Sequence, residues 1–237
     1  MTRALLRGDH HVHSTFSDDA VSTLAENVAA ASAAGLTTVR LVDHVRRSTP
    51  WVPDYLAAVR AVQVPDGLTV LTGVEAKILD ASGDLDIPEL PTGIDRILIA
   101  DHQFPGIDGP LGPSAVRERI EGGWAAEDAL DQLVSALISA MRRHPGNQLA
   151  HCFSILPKIG LSEDDLGVDR VSAWAKTAAE TDTIVEVNEK WGCPGIPLLD
   201  ALHDAGAEIV ASTDSHVASD VGRYSRVAEI LDGWSVR

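Results

Sequence analysis

The chain of 237 residues carries 35 acidic against 19 basic side chains, a net charge of −16, and is 45% apolar with 4% aromatic content. A field of that sign repels long nucleic acid and anionic membrane, and two cysteines, Cys152 and Cys193, cannot build a disulfide framework. The length suits one large α/β domain over residues 1–237. No apolar run reaches spanning length and MTRALLRGDHHVH lacks an apolar signal core, so a cytoplasmic protein is expected.

In chain order, a short strand is expected before His11. Residues 22–34 form an Ala-rich helical pattern ending at Gly35, a residue suited to the left-handed position that closes a helix. A strand at 37–42 (TTVRLV) leads to a proline-started helix at 53–62. Strands at 68–74 and 96–100 are separated by an Asp-, Gly- and Pro-rich loop at 78–93, and a second such loop fills 103–113. The longest helix, 125–143, has Arg142 and Arg143 in its last turn and Pro145-Gly146 beyond it. Strands at 148–150, 183–187 and 208–211 then alternate with helices at 171–179, 197–205 and 224–231. Near-continuously apolar strands alternating with helices imply right-handed βαβ units and a parallel sheet, and about seven units imply a closed or nearly closed barrel.

The histidines and acids fall at the ends of these strands. His11 and His13 end the first, Asp43 and His44 the second, Glu75 the third, Asp101 and His102 the fourth. His151 ends the fifth, Glu186 and Asn188 the sixth, and Asp214 and His216 follow the seventh. In a parallel barrel all strand C-termini open on one face, so residues far apart in sequence meet at one rim. Imidazole and carboxylate are the usual ligands of Zn, Mn and Fe, and a cation offsets the cost of buried carboxylates. In His11-x-His13 and Asp214-x-His216, alternate residues share one face of an extended segment.

The segment Asp9-His10-His11-Val12-His13-Ser14-Thr15-Phe16-Ser17-Asp18 resembles the opening motif of the PHP family, named for polymerase and histidinol phosphatase domains. Leu41-Val42-Asp43-His44, Thr72-Gly73-Val74-Glu75, Ala150-His151 and Ser212-Thr213-Asp214-Ser215-His216 resemble its later motifs, and Asp220-Val221-Gly222-Arg223 also fits. The resemblance implies a distorted TIM-like (β/α)7 barrel, a single PHP-type metallohydrolase domain, holding two or three divalent ions (Zn, Mn or Fe). It implies His11, His13, Glu75 and Asp214 around one metal, Glu75, His102 and His151 around a second, and Asp18, His44 and His216 around a third. Motif alignment puts Asp18, rather than the neighbouring Asp19, in that last set. The activity implied is hydrolysis of a small phosphomonoester by a metal-activated water, with Asp214 and His216 in proton transfer. Phosphodiester or nucleotide cleavage, carbonyl hydrolysis and a non-catalytic metal-binding domain remain open on the same residues.

Five basic residues, Arg46, Lys77, Lys158, Lys190 and Arg223, each follow a candidate ligand. Ordinary surface pairing accounts for most of them; Lys190 and Arg223, whose segments best match the family, are the expected phosphate contacts. His10 points away from His11 in a regular strand and suits packing. Asp9 and Asp43 suit either the orientation of neighbouring histidines or loop capping. His144 and His203 suit the surface, Cys152 the barrel wall, and Cys193 a loop.

Overall fold

The structure is a computed structural model that describes residues 2–235. A four-residue helix α1 (Thr2–Leu5) leads into β1 (Gly8–Val12), α2 (Leu24–Ala33), β2 (Thr38–His44), α3 (Val52–Ala61), β3 (Thr69–Lys77) and β4 (Arg96–Ala100). A small hairpin, β5 (Phe104–Gly106) and β6 (Gly109–Leu111), precedes α4 (Pro113–Glu121) and α5 (Ala126–Arg143). Then come β7 (Gln148–Ala150), α6 (Val168–Glu180), β8 (Ile184–Asn188), α7 (Ile196–Ala205), β9 (Ile209–Ser212) and α8 (Arg226–Ser235).

Seven strands form one sheet in the order β1-β2-β3-β4-β7-β8-β9, every neighbouring pair parallel. Local signals set the helices between them. Thr23 and Glu26 make a reciprocal capping box at the start of α2, and Gly35 turns left-handed just past its end. Along β2 the side chains alternate: Val39 and Leu41 pack outward among Leu24, Val28, Tyr55 and Leu56 of α2 and α3. The other face runs inward, where Val42, Leu98, Ala100 and Ala150 form a separate apolar plug. Gly73 in β3 permits that plug, because a Cβ there would stand 3.1 Å from Val42 Cγ2 and 3.2 Å from both Arg40 Cδ and the Arg96 carbonyl. The larger core lies outside the barrel, where α5, α6 and α7 cover the later strands.

The first and last strands meet without a full ladder. A bridge joins Val12 to Ser215, and the His13 amide donates to the Ser215 carbonyl at 2.9 Å. The buried Asp9 carboxylate finishes the seam, accepting from the Thr213 amide (2.9 Å), the Thr213 hydroxyl (2.6 Å) and the Gly222 amide (2.9 Å). The barrel is thus closed largely by a side chain.

The predicted strands all form, and the first contains His11 rather than ending before it. The loop expected at 103–113 holds the β5–β6 hairpin, and α1 and α4 were not anticipated. Among the described residues, no helix is long and apolar enough to cross a membrane.

Candidate metal centre

Every ligand-type residue predicted at a strand end opens on the same mouth of the barrel. His11 and His13 leave β1, where a register shift between Asp9 and Val12 breaks the regular pleat. His44 ends β2, and Glu75 lies two residues before the end of β3. His151 and Asp214 follow β7 and β9 with positive backbone angles, φ 31° and 54°. Non-glycine residues adopt such angles at a cost, and here each turns its side chain inward directly after its strand.

Glu75 is the hub, with only 1% of its surface exposed. Its Oε1 lies 2.9 Å from His151 Nε2 and 3.0 Å from His102 Nε2. Its Oε2 lies 2.8 Å from His44 Nδ1, 3.4 Å from His11 Nε2 and 3.5 Å from His13 Nε2. Five imidazoles therefore surround one carboxylate. Asp214 Oδ1 adds a second acid, 3.3 Å from His13 Nε2 and 3.6 Å from His216 Nδ1. Four overlapping sets have their ligand atoms within 4.8 Å of one another: His11 with His13 and Asp214, His11 with Glu75 and His151, His44 with Glu75 and His102, and His13 with His44 and His216.

The tautomers test whether cations fit. His11 Nδ1 donates to Glu186, 3.1 Å from each oxygen. His13 Nδ1 faces Ser17 Oγ at 3.3 Å, and that hydroxyl already donates to Asp43 Oδ1 at 2.7 Å, so the histidine is the donor. Their Nε2 atoms stand 2.9 Å apart, and the proton that Glu186, Glu75 and Asp214 hold on His11 lies between them, where a divalent cation would displace it. Glu75 Oε2, fully buried, makes no aligned hydrogen bond. The donor set of imidazole and carboxylate suits Zn, Mn or Fe.

The charge states agree. Burial pushes His13 down to about 3, which keeps it neutral as a ligand must be. Burial opposes the charged form of His151 too, but Asp101 and Glu75 outweigh it and lift that imidazole to about 10. Burial would raise the Glu75 and Asp214 carboxyls; the charge on His102 and His11 holds Glu75, and that on His11 holds Asp214, well below the usual range. Protons on histidines balance the buried acids here, and divalent cations would displace them.

A second layer fixes the rings. Besides His11, Glu186 receives the His151 amide (2.8 Å), Gln148 Nε2 (2.7 Å) and Asn188 Nδ2 (2.7 Å). Asp101 stands 3.6 Å from His151 Nδ1, with Ser154 donating to it at 3.1 Å. Asp43 acts through Ser14 and Ser17, whereas Asp9 belongs to the seam. A cleft of about 400 Å³ opens above, lined among others by Asp18, Asp19, Arg46, Lys77, Lys190 and Trp191.

A family model described as PHP domain matches residues 9–190, more than half of the chain. The chain belongs to the PHP family. Its curated relatives include a probable phosphatase of Acetivibrio thermocellus, 26% identical over 236 residues and covering 94% of this chain and 85% of its own. Another, from Vibrio campbellii, is 27% identical over 242 residues and covers 96% and 84%. Among solved structures, a histidinol phosphate phosphatase from Lactococcus lactis, complexed with zinc, L-histidinol and phosphate, shares the fold with a TM-score of 0.65. It is 15% identical and covers 96% of this chain and 93% of its own.

Within this PHP domain the predicted ligands converge, with one correction. The acid that faces His44 Nε2 (3.5 Å) and His216 Nε2 (3.2 Å) is Asp19, not Asp18. Asp18 lies in the same turn and lines the cleft, but its carboxylate does not reach either ring. Lys190 Nζ stands 3.4 Å from both Asp214 Oδ2 and His216 Nδ1. Arg223 is exposed and lines an adjoining hollow instead of the cleft. Glu186 and Asp101 were visible as strand-end acids and Asp19 as the alternative to Asp18; Ser17 and Trp191, whose indole donates to Asp214 Oδ2 at 3.0 Å, were not singled out. His10 stays outside the centre: burial first, and then the charge of Arg40, push it down to about 4.

Proposed function

We propose that this PHP domain is a metal-dependent phosphoesterase acting on a small phosphomonoester, with residues 1–237 forming one metallohydrolase unit. The observation that carries the reading is Glu75 shared by five imidazoles at the base of an open cleft. The ligands proposed are His11, His13, Asp19, His44, Glu75, His102, His151, Asp214 and His216, for two or three ions of Zn, Mn or Fe. Bound there, divalent cations supply a water acidified to a pKa of about 7 and positive charge for phosphoryl oxygens.

The chain's own groups do the rest. Lys190, at 3.4 Å from Asp214 and His216, offers an ammonium where a phosphoryl oxygen approaches the centre. Asp214 Oδ2 is turned away from His13 toward Trp191 and Lys190, and it is the acceptor proposed for the proton released by the attacking water. His216 Nδ1 lies 3.6 Å from the other Asp214 oxygen and its ring reaches solvent, which gives that proton a way out. Arg223, in the adjoining hollow, is the more distant of the two proposed phosphate contacts.

A cleft of about 400 Å³ suits a small molecule, and the net charge of −16 disfavours a long nucleic acid. The names of the curated relatives support the reaction class, and histidinol phosphate is one candidate substrate after the neighbour complexed with L-histidinol and phosphate. Both cysteines are free and buried, in keeping with a cytoplasmic setting. The test is a comparison of p-nitrophenyl phosphate with bis-p-nitrophenyl phosphate on metal-loaded protein. Faster release from the monoester is expected; release from the diester alone would replace this reading with phosphodiester cleavage.

A further inference from the structure

The rim of the cleft carries a cation that the reaction above does not use. Lys158 follows β7 in a short 3-10 turn (Leu156–Ile159), and its ammonium sits 3.8 Å from the centre of the Trp191 ring. It is half-buried, and among the described residues no carboxylate lies within 4 Å of it. Each of the chain's other three lysines has one. Lys77 has Asp86 at 3.6 Å and Lys176 has Glu180 at 3.6 Å.

The platform under Lys158 is rigid. Trp191 belongs to a turn closed by Asn188, which accepts from the Trp191 amide through its side chain and from the Gly192 amide through its carbonyl. Asn188 is itself tied to Glu186 beneath the metal centre. Lys190 Nζ lies 5.9 Å from the centre of the same ring. Burial lowers the Lys158 pKa, opposed first by the charge of Asp101, and the charge of Lys190 adds a smaller lowering. Lys190 already has Asp214 at 3.4 Å, so Lys158 is the cation left to meet an incoming anion.

We propose that Lys158, seated on Trp191 beside the metal centre, is an anion contact, and that it takes a second acidic group carried by the leaving group of a phosphomonoester whose phosphoryl group meets Lys190. The preferred substrate is then a phosphomonoester that also bears a carboxylate or a further phosphate a few bonds from the scissile oxygen. This rests on the reading of the centre as a phosphoesterase.

The test is calorimetric binding of two non-hydrolysable ligands to metal-loaded protein, 3-phosphonopropionate and butylphosphonate, its match without the carboxylate. Wild type is expected to favour the first by about tenfold, the worth of one charge-assisted contact. Lys158→Met, which keeps the aliphatic stem on the indole, is expected to erase that preference. Lys176→Met, the same charge change on the outer surface of α6, is expected to keep it. Equal binding of both ligands by wild type, or a preference that survives Lys158→Met, overturns the anion contact and leaves the phosphoesterase reading standing. Binding of neither ligand by metal-loaded wild type overturns the phosphoesterase reading and the anion contact with it.

Discussion

Glu186 holds His11 from behind: His11 Nδ1 stands 3.1 Å from each oxygen of a carboxylate that is wholly buried. That contact fixes the tautomer and leaves Nε2 aimed at His13, Glu75 and Asp214. Glu186→Gln keeps the shape but removes the charge that makes the imidazole a stronger donor. It is expected to weaken metal binding by about 10- to 100-fold, the usual effect of losing such a partner. Competition against a chromophoric chelator measures this; unchanged affinity would show that Glu186 only packs.

The Asp18–Asp19 pair tests which carboxylate serves the proposed third metal. Asp19→Asn is expected to lower the number of metals retained after dialysis, because Asp19 alone of the two reaches His44 and His216. Asp18→Asn is expected to retain the wild-type count. Elemental analysis of both variants decides it, and the reverse pattern would restore Asp18 as the ligand.

The barrel seam predicts a stability effect without a direct role in chemistry. Asp9→Ala strips the acceptors from the Thr213 amide, the Thr213 hydroxyl and the Gly222 amide in a fully buried place. Buried donors left unpaired cost about 1–3 kcal/mol each before relaxation, so a loss of about 2–4 kcal/mol is expected in urea unfolding. A change under about 0.5 kcal/mol would mean that the seam is held by the backbone bridge alone.

Glu163 gives a pH signature away from the metals. Its Oε2 accepts from the Gly195 amide at 2.8 Å, and burial raises its pKa despite that bond. The folded chain therefore binds this proton more tightly than the unfolded chain does. Stability from this group is full below the unfolded value of about 4.3 and is lost as pH rises through the raised folded value. Glu163→Gln cannot titrate. The wild-type melting temperature is expected to fall relative to that of the variant as pH rises above about 4.3. A pH-independent difference would place the carboxyl at its ordinary value.

The strands and their ligand-bearing ends were readable because β-branched apolar runs alternate with Ala-rich helical periods, and a parallel barrel then dictates one mouth. α4 escaped because only Val116 is buried along it, which leaves no apolar period to read. The β5–β6 strands escaped because they are three residues long and each contains a proline. In the site, residue type picked out side chains that the fold brings together, but Asp18 and Asp19 sit together in a turn, where direction depends on local geometry and not on a period. The roles of Glu186 and Trp191 depend on contacts made across the barrel, 175 residues from Glu186 to His11 and 23 from Trp191 to Asp214. Arg223 matched the motif, yet its guanidinium lies in the adjoining hollow.

The central claim is that the Glu75 cluster binds several divalent ions and that hydrolysis depends on them. The direct measurement is to strip the protein with a chelator and titrate Zn or Mn back while following p-nitrophenyl phosphate hydrolysis. No activity is expected in the stripped protein, with recovery that reaches its plateau at two or three equivalents of metal. Full activity in the stripped protein, or a plateau at one equivalent, would contradict the account.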